Sequence, residues 1–140
     1  MRTDRVVGMV TAEADAAEIV MGMERAALER WGRGDPDGFI DISAAEVSYF
    51  DPFTAQRLDG IPALRSLYDQ FRGKIRIDRF EIIEPRVQMA GGVAVLTYRF
   101  DSYGSEGSMR WNTTEVYQEG PAGWKIIHTH WAFHQPKIGV

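Results

Sequence analysis

The feature that most constrains this chain is a C-terminal pair of β-rich runs with unusual cargo. Trp111-Asn112-Thr113-Thr114-Glu115-Val116-Tyr117 and Trp124-Lys125-Ile126-Ile127-His128-Thr129-His130-Trp131 flank a Gly120-Pro121-Ala122-Gly123 turn, the pattern of an antiparallel hairpin. An ordinary half-buried strand alternates apolar with polar residues. Here Trp and Tyr are mixed with Asn, Thr, Glu and two His. Burying polar groups costs free energy unless they find hydrogen bonds, so such a hairpin near a core implies a lined cavity.

Length and charge exclude much else. A chain of 140 residues is expected to form one domain with a single core. A net charge of −4 and a pI near 5.4 argue against a nucleic-acid partner, which favours a basic stripe. With no cysteine, a disulfide scaffold, a thiolate zinc site and a Cys nucleophile are excluded. No run approaches the ~20 apolar residues of a membrane span, and residues 1–10 show no secretory pattern. The expectation is a cytoplasmic protein with no membrane partner and no cofactor.

Apolar residues Ala16, Val20, Met23, Ala27 and Trp31 recur at helical spacing from about Ala12 to Arg33, with Ile19 widening the stripe. Asp15 with Glu18, or Thr11, would cap its start. Gly32 and Gly34 end it. Asp35-Pro36 starts a second helix, and Val47–Phe50 is a short strand. A brief extended piece lies around Arg57-Leu58, and Pro62 opens a third helix running to about Arg72. Strands then follow through Ile75–Met89, where Pro85 marks a bend or an edge, and through Val93–Tyr103 after a Gly91-Gly92 turn. The order α-α-β-β-α-β-β-β-β predicts an α+β fold with helices on one side of a curved sheet.

Several of these residues carry a resemblance. Trp31 with Gly34-Asp35-Pro36, Tyr49-Phe50-Asp51-Pro52, Leu58-Asp59-Gly60, Glu84-Pro85-Arg86-Val87 and the final hairpin are similar to the nuclear-transport-factor-2-like superfamily, which includes SnoaL-like proteins. Within it, the chain most resembles the association domain of calcium/calmodulin-dependent kinase II and its stand-alone bacterial counterparts. The resemblance implies a cone-shaped fold, about three N-terminal helices packed on a curved, mostly antiparallel mixed sheet, with the open end forming a pocket. It spans a single domain over 13–135, between a flexible segment at 1–12 and a tail at 136–140. The kinase association domain lines its pocket with arginines. Matched residue by residue, one falls on Arg99 and the others on Glu115 and Trp131, so the ligand expected here is smaller or more aromatic than a strongly anionic one.

Strand alternation leaves two registers for the last hairpin. An odd loop groups Trp111, Thr113, Glu115 and Tyr117 with Ile127, Thr129, Trp131 and Phe133. An even loop would instead place His128 and His130 beside Glu115. The resemblance favours the odd register and a pocket of Tyr49, Asp51, Tyr68, Arg99, Trp111, Glu115 and Trp131.

Glu115 on an aromatic face is the first candidate for a functional acid or base, since apolar surroundings raise a carboxyl pKa. A structural ion pair with Arg99 is its plainer reading. Asp51 is the second candidate, against a simple role as turn former before Pro52. Tyr49 and Tyr68 offer phenolic donors to a bound oxygen, or are core residues with one polar end satisfied. His128 and His130 share a face, which His134 also joins by parity. Without a clear third ligand and second shell, they read as a hydrogen-bonded or interface pair, and no metal is expected. Trp31, Phe39 and Trp124 read as core.

Two functions follow. One is a small-molecule-binding or oligomerisation domain, forming a homodimer or larger assembly of itself around an unidentified small molecule. The other is a cofactor-independent acid–base enzyme of isomerase, cyclase or dehydratase type, acting on a cyclic or polyketide-like molecule.

Overall fold

The computed structural model describes residues 2–137, with side chains described from Ala12 onward. Helix α1 (Arg2–Gly32) is free of proline and rich in Ala, Met, Glu and Arg, all good helix formers. Its backbone begins ten residues before the expected start, so neither Thr11 nor Asp15 caps an N-terminus. In the expected segment at 1–12 only Ala12 has a described side chain, and most of the tail at 136–140 lies outside the described residues. At the other end Gly34 adopts φ 85°, letting its N–H reach Trp31 O at 2.9 Å and the Asp35 N–H reach Arg30 O at 3.0 Å. That left-handed stop is where glycine is favoured.

The buried stripe of α1 is Ala16, Val20, Glu24, Ala27 and Leu28. Ile19, expected to widen it, is 51% exposed. The stripe turns towards Glu24 instead, because that carboxylate has partners on the sheet.

Helix α2 (Asp37–Asp41) follows at once, and the Asp35 carboxylate accepts the Asp37 N–H at 3.1 Å. Strand β1 (Ser43–Phe50) and the short β2 (Leu58–Asp59) precede helix α3 (Ile61–Asp69), which carries proline in its first turn. Four long strands complete the chain: β3 (Arg79–Ala90), β4 (Val93–Gly104), β5 (Gly107–Gly120) and β6 (Gly123–Phe133). They form one six-stranded mixed sheet in the order β2-β1-β6-β5-β4-β3. Only the β1–β6 pair is parallel. Pro85 sits on the edge strand β3, at a register shift between Ile83 and Arg86, where a missing N–H costs no ladder bond.

The helices cover one face of this curved sheet, giving an α+β cone. The inner face buries Ala94, Leu96, Tyr98 and Phe100 from β4, Thr113, Glu115 and Tyr117 from β5, and Val47 and Tyr49 from β1. Fully burying a side chain such as Leu96 contributes about 1.5–3 kcal/mol. Among the described residues, no helix is long and apolar enough to cross a membrane.

Candidate functional site

The turn itself is the even case, with Gly120 paired to Gly123 across a two-residue loop, but a register shift further along gives the grouping expected of an odd loop: Glu115 pairs with Thr129, Thr113 with Trp131 and Trp111 with Phe133. One detail departs from simple alternation. A register shift between Val116 and Tyr117 brings Tyr117 opposite Ile126, so Ile126 is buried and Ile127 is not. Ile127 is the extra residue of a bulge, and its assignment to the inner face is corrected.

Below the open end of the cone lies a cavity of about 510 Å³. Each neighbouring element contributes a ring: Trp31 from the end of α1, Tyr68 from α3, Tyr49 from β1, Phe100 from β4, Trp111 from β5 and Trp131 from β6. The rings brace one another edge to face. Trp31 and Tyr68 centroids lie 5.0 Å apart, Trp111 and Trp131 5.9 Å, and Phe100 and Trp131 5.5 Å. Such pairs add about 0.5–1.5 kcal/mol beyond buried area, which holds the rings in place against one another. Trp31 and Phe39, read from sequence as core, are part of this lining. Trp124 is core and does not reach it.

The polar side of the wall is built around Asp51. Its Oδ2 accepts the Tyr49 hydroxyl at 2.8 Å. Its Oδ1 accepts the N–H groups of Phe53 at 2.7 Å and Thr54 at 2.9 Å. The residue therefore closes its turn and presents a carboxylate to the cavity at the same time. Tyr68 packs on Tyr49 with ring centroids 5.7 Å apart. Burial pushes both phenols above their usual range, so both remain protonated donors at neutral pH.

Behind Tyr68 is a second polar centre. Glu115 is fully buried, and neither carboxyl oxygen has a hydrogen-bond partner; the nearby Thr113 hydroxyl has none either. Facing Glu115 is Glu24 of α1, also fully buried, whose carboxylate accepts the hydroxyls of Tyr98 at 2.5 Å and Tyr117 at 2.6 Å. Burial first, and then the neighbouring Glu24 charge, push Glu115 well above the usual carboxyl range. Burial also raises Glu24, against the lowering effect of its hydrogen bonds. Two adjacent buried carboxylates cannot both ionise cheaply. The tyrosine donors favour charge on Glu24 over Glu115.

Sequence reasoning missed Glu24. Its one signal is an acid at the centre of the α1 stripe, four residues from both Val20 and Leu28.

The proposed Arg99–Glu115 pair does not form. The inward set of β4 is Leu96, Tyr98 and Phe100, so alternation turns Arg99 to the outer face. There its guanidinium binds Asp101, with Nε–Oδ1 and Nη2–Oδ2 both at 3.2 Å. The structure thus brings Tyr49, Asp51, Tyr68, Trp111 and Trp131 onto one cavity, sets Glu115 behind its wall and leaves Arg99 outside. His128 and His130 also face outwards: His128 Nδ1 lies 2.7 Å from Ser48 Oγ, and Phe50 packs on both imidazoles. His134 Nδ1 meets Asn112 Oδ1 at 2.9 Å. Among the described residues, no three His, Asp or Glu side chains converge on a metal-sized site.

The sequence profile of the calcium/calmodulin dependent protein kinase II association domain matches residues 15–134. Among solved structures, a candidate ketosteroid isomerase from Parabacteroides distasonis is 39% identical, with a TM-score of 0.78 over 85% of this chain and 88% of that one. A nuclear-transport-factor-2-like protein of unknown function from Pseudomonas putida is 21% identical, with a TM-score of 0.74 over 86% and 87% of the two chains. The calcium/calmodulin-dependent kinase II hub of S. rosetta is 22% identical, with a TM-score of 0.67 over 84% and 95%. The last two are alike in fold alone. No curated protein matches the sequence.

Proposed function

The chain belongs to the calcium/calmodulin-dependent protein kinase II association-domain family, and from that premise we propose that it is a self-associating domain that binds a small, ring-bearing molecule inside its cone. The observation that carries the binding half is the cavity of about 510 Å³ walled by braced indole, phenol and phenyl rings. A concave, mostly apolar site with few polar groups is the usual form of a small-molecule site. Tyr49, Asp51 and Tyr68 supply the polar contacts that orient the ligand, and Trp31, Trp111 and Trp131 supply its apolar contact.

Self-association rests on the family and on the outer sheet face. Asn112, Thr114, His128, His130 and Ala132 share that face with Phe50, which is 37% exposed. A mixed polar-aromatic surface of this kind suits a homodimer or a larger ring. We place the protein in the cytoplasm, as its sequence leads one to expect.

Titration with the neutral apolar dye Nile red tests the binding reading. Saturable binding of one dye per chain is expected, with tryptophan quenching and weaker affinity in Trp131→Ala. Absence of saturable binding contradicts it.

A second reading is favoured by one observation, the fully buried Glu115 carboxyl without a hydrogen-bond partner, together with the 39% identical candidate isomerase. In that reading the domain performs cofactor-independent acid–base chemistry on a cyclic ketone, with Asp51 as base. Hydrogen–deuterium exchange next to the carbonyl of a β,γ-unsaturated cyclic ketone, abolished in Asp51→Asn, is its expected signature. No exchange above buffer rules it out.

A further inference from the structure

The cavity's rim and its interior differ in charge. Lys74, Arg76 and Glu106 reach it only at the rim, where all three are exposed and screened by salt. Further in, the ionised side chain on the lining is Asp51, half-buried and fixed by three donors. Behind Tyr68 stand Glu24 and Glu115, and among the described residues no Lys, Arg or His pairs with either. The interior therefore contains acids with no compensating cation. Its remaining surface is largely aromatic, and the faces of indole and phenol rings are themselves negative.

On the reading that the cavity holds a small molecule, we propose that this molecule is an organic cation, a protonated amine or quaternary ammonium on an apolar body. The rings of Trp31, Trp111 and Trp131 receive it and Asp51 serves as its counter-ion. Three things argue for this class. Aromatic walls bind cations through their faces, and such cages recognise quaternary ammonium groups. Asp51 has capacity left, because a carboxylate accepts at about four lone-pair sites and three are used. Behind the wall at Tyr68, the buried carboxyls of Glu24 and Glu115 are also left without a positive partner among the described residues. An anion entering the same space meets Asp51 and Glu24 and gains nothing from ring faces. A neutral molecule gains apolar contact but no electrostatic attraction.

The experiment uses three probes of matched size against the full-length protein: phenyltrimethylammonium, its neutral isostere tert-butylbenzene, and the anion benzoate. Each competes with bound Nile red. The expected result is that the cation displaces the dye with an affinity at least about tenfold tighter than tert-butylbenzene, with benzoate weakest. Raised salt should narrow that ratio. Asp51→Asn, which keeps a side-chain oxygen to accept the Phe53 and Thr54 N–H groups and removes the counter-ion, should narrow the ratio to what the ring faces alone supply. A cation no tighter than its isostere, or benzoate tightest, overturns the charge assignment and leaves the binding reading intact. If Nile red itself does not bind, the cavity reading falls and the proposal with it.

Discussion

Glu24 and Glu115 face one another between α1 and β5 with unequal support: Glu24 accepts hydroxyls from Tyr98 and Tyr117 at 2.5 and 2.6 Å, and Glu115 accepts none. The asymmetry decides which of the two carries charge and makes the seating of α1 sensitive to pH.

Glu115 has a folded pKa well above its ordinary value of 4.5. The folded state therefore holds a proton that the unfolded chain releases above that value. Stability from this group is complete below about pH 4.5 and is lost as pH rises towards the folded pKa. Glu115→Gln keeps shape and neutrality and removes the titration. Urea denaturation across roughly pH 5 to 9 should show a flatter profile for the variant, more stable than wild type at the alkaline end by at least about 1 kcal/mol. Parallel profiles would mean that Glu115 is not the buried acid.

Tyr98→Phe and Tyr117→Phe each delete a donor to a buried carboxylate. Hydrogen bonds to charged groups contribute about 1.5–3 kcal/mol, and each variant should lose stability in that range by chemical denaturation. The pair share one acceptor, so the double variant should be non-additive. A loss below about 0.5 kcal/mol for both single variants would place the charge elsewhere.

Much of this was legible in the sequence, and the failures have separate physical causes. The element order followed from helical spacing and from turn chemistry at Asp35-Pro36, Pro62 and Gly91-Gly92. Glu115 opposite Thr129 and Thr113 opposite Trp131 followed from the matched pocket positions and not from the turn, whose two-residue loop alone would face Glu115 with His128. The bulge at Ile127 converts the even turn into the odd grouping, and on the turn side of it Ile126 takes the inward place expected of Ile127. Arg99 was misplaced because a matched pocket position outweighed the local pattern. Leu96, Tyr98 and Phe100 already formed the apolar set of β4. Glu24 was invisible for a different reason: an acid in a helix stripe looks solvated until the tyrosines that bind it, far along the chain, are known.

Arg99→Leu separates the two placements of that arginine. Buried beside Glu115, its loss would strand a carboxylate at about 3–5 kcal/mol. On the outer face it leaves Asp101, whose side chain is only 4% exposed, with Arg110 still 3.8 Å away, so stability falls in that placement too and dye binding is the readout that separates the two. Nile red affinity should not change. Altered dye binding would return Arg99 to the cavity.

His128 sits on the outer face against Ser48. Burial, and then the charge of His130, lower its pKa below the ordinary 6.5. A depressed histidine binds fewer protons when folded, so stability falls as pH drops through 6.5 towards the folded value. Melting temperature should therefore fall on mild acidification, and less so in His128→Gln. Equal falls in both proteins would exclude His128 as the group responsible.

The central claim is that a ligand sits among three particular indoles. The chain has four tryptophans: Trp31, Trp111 and Trp131 line the cavity, and Trp124 is buried away from it. A nitrogen–proton correlation spectrum of the indole N–H groups, recorded during titration with phenyltrimethylammonium, reads all four at once. The account predicts saturable shifts in the resonances of Trp31, Trp111 and Trp131 with Trp124 unmoved. No shift, or a shift led by Trp124, would contradict it.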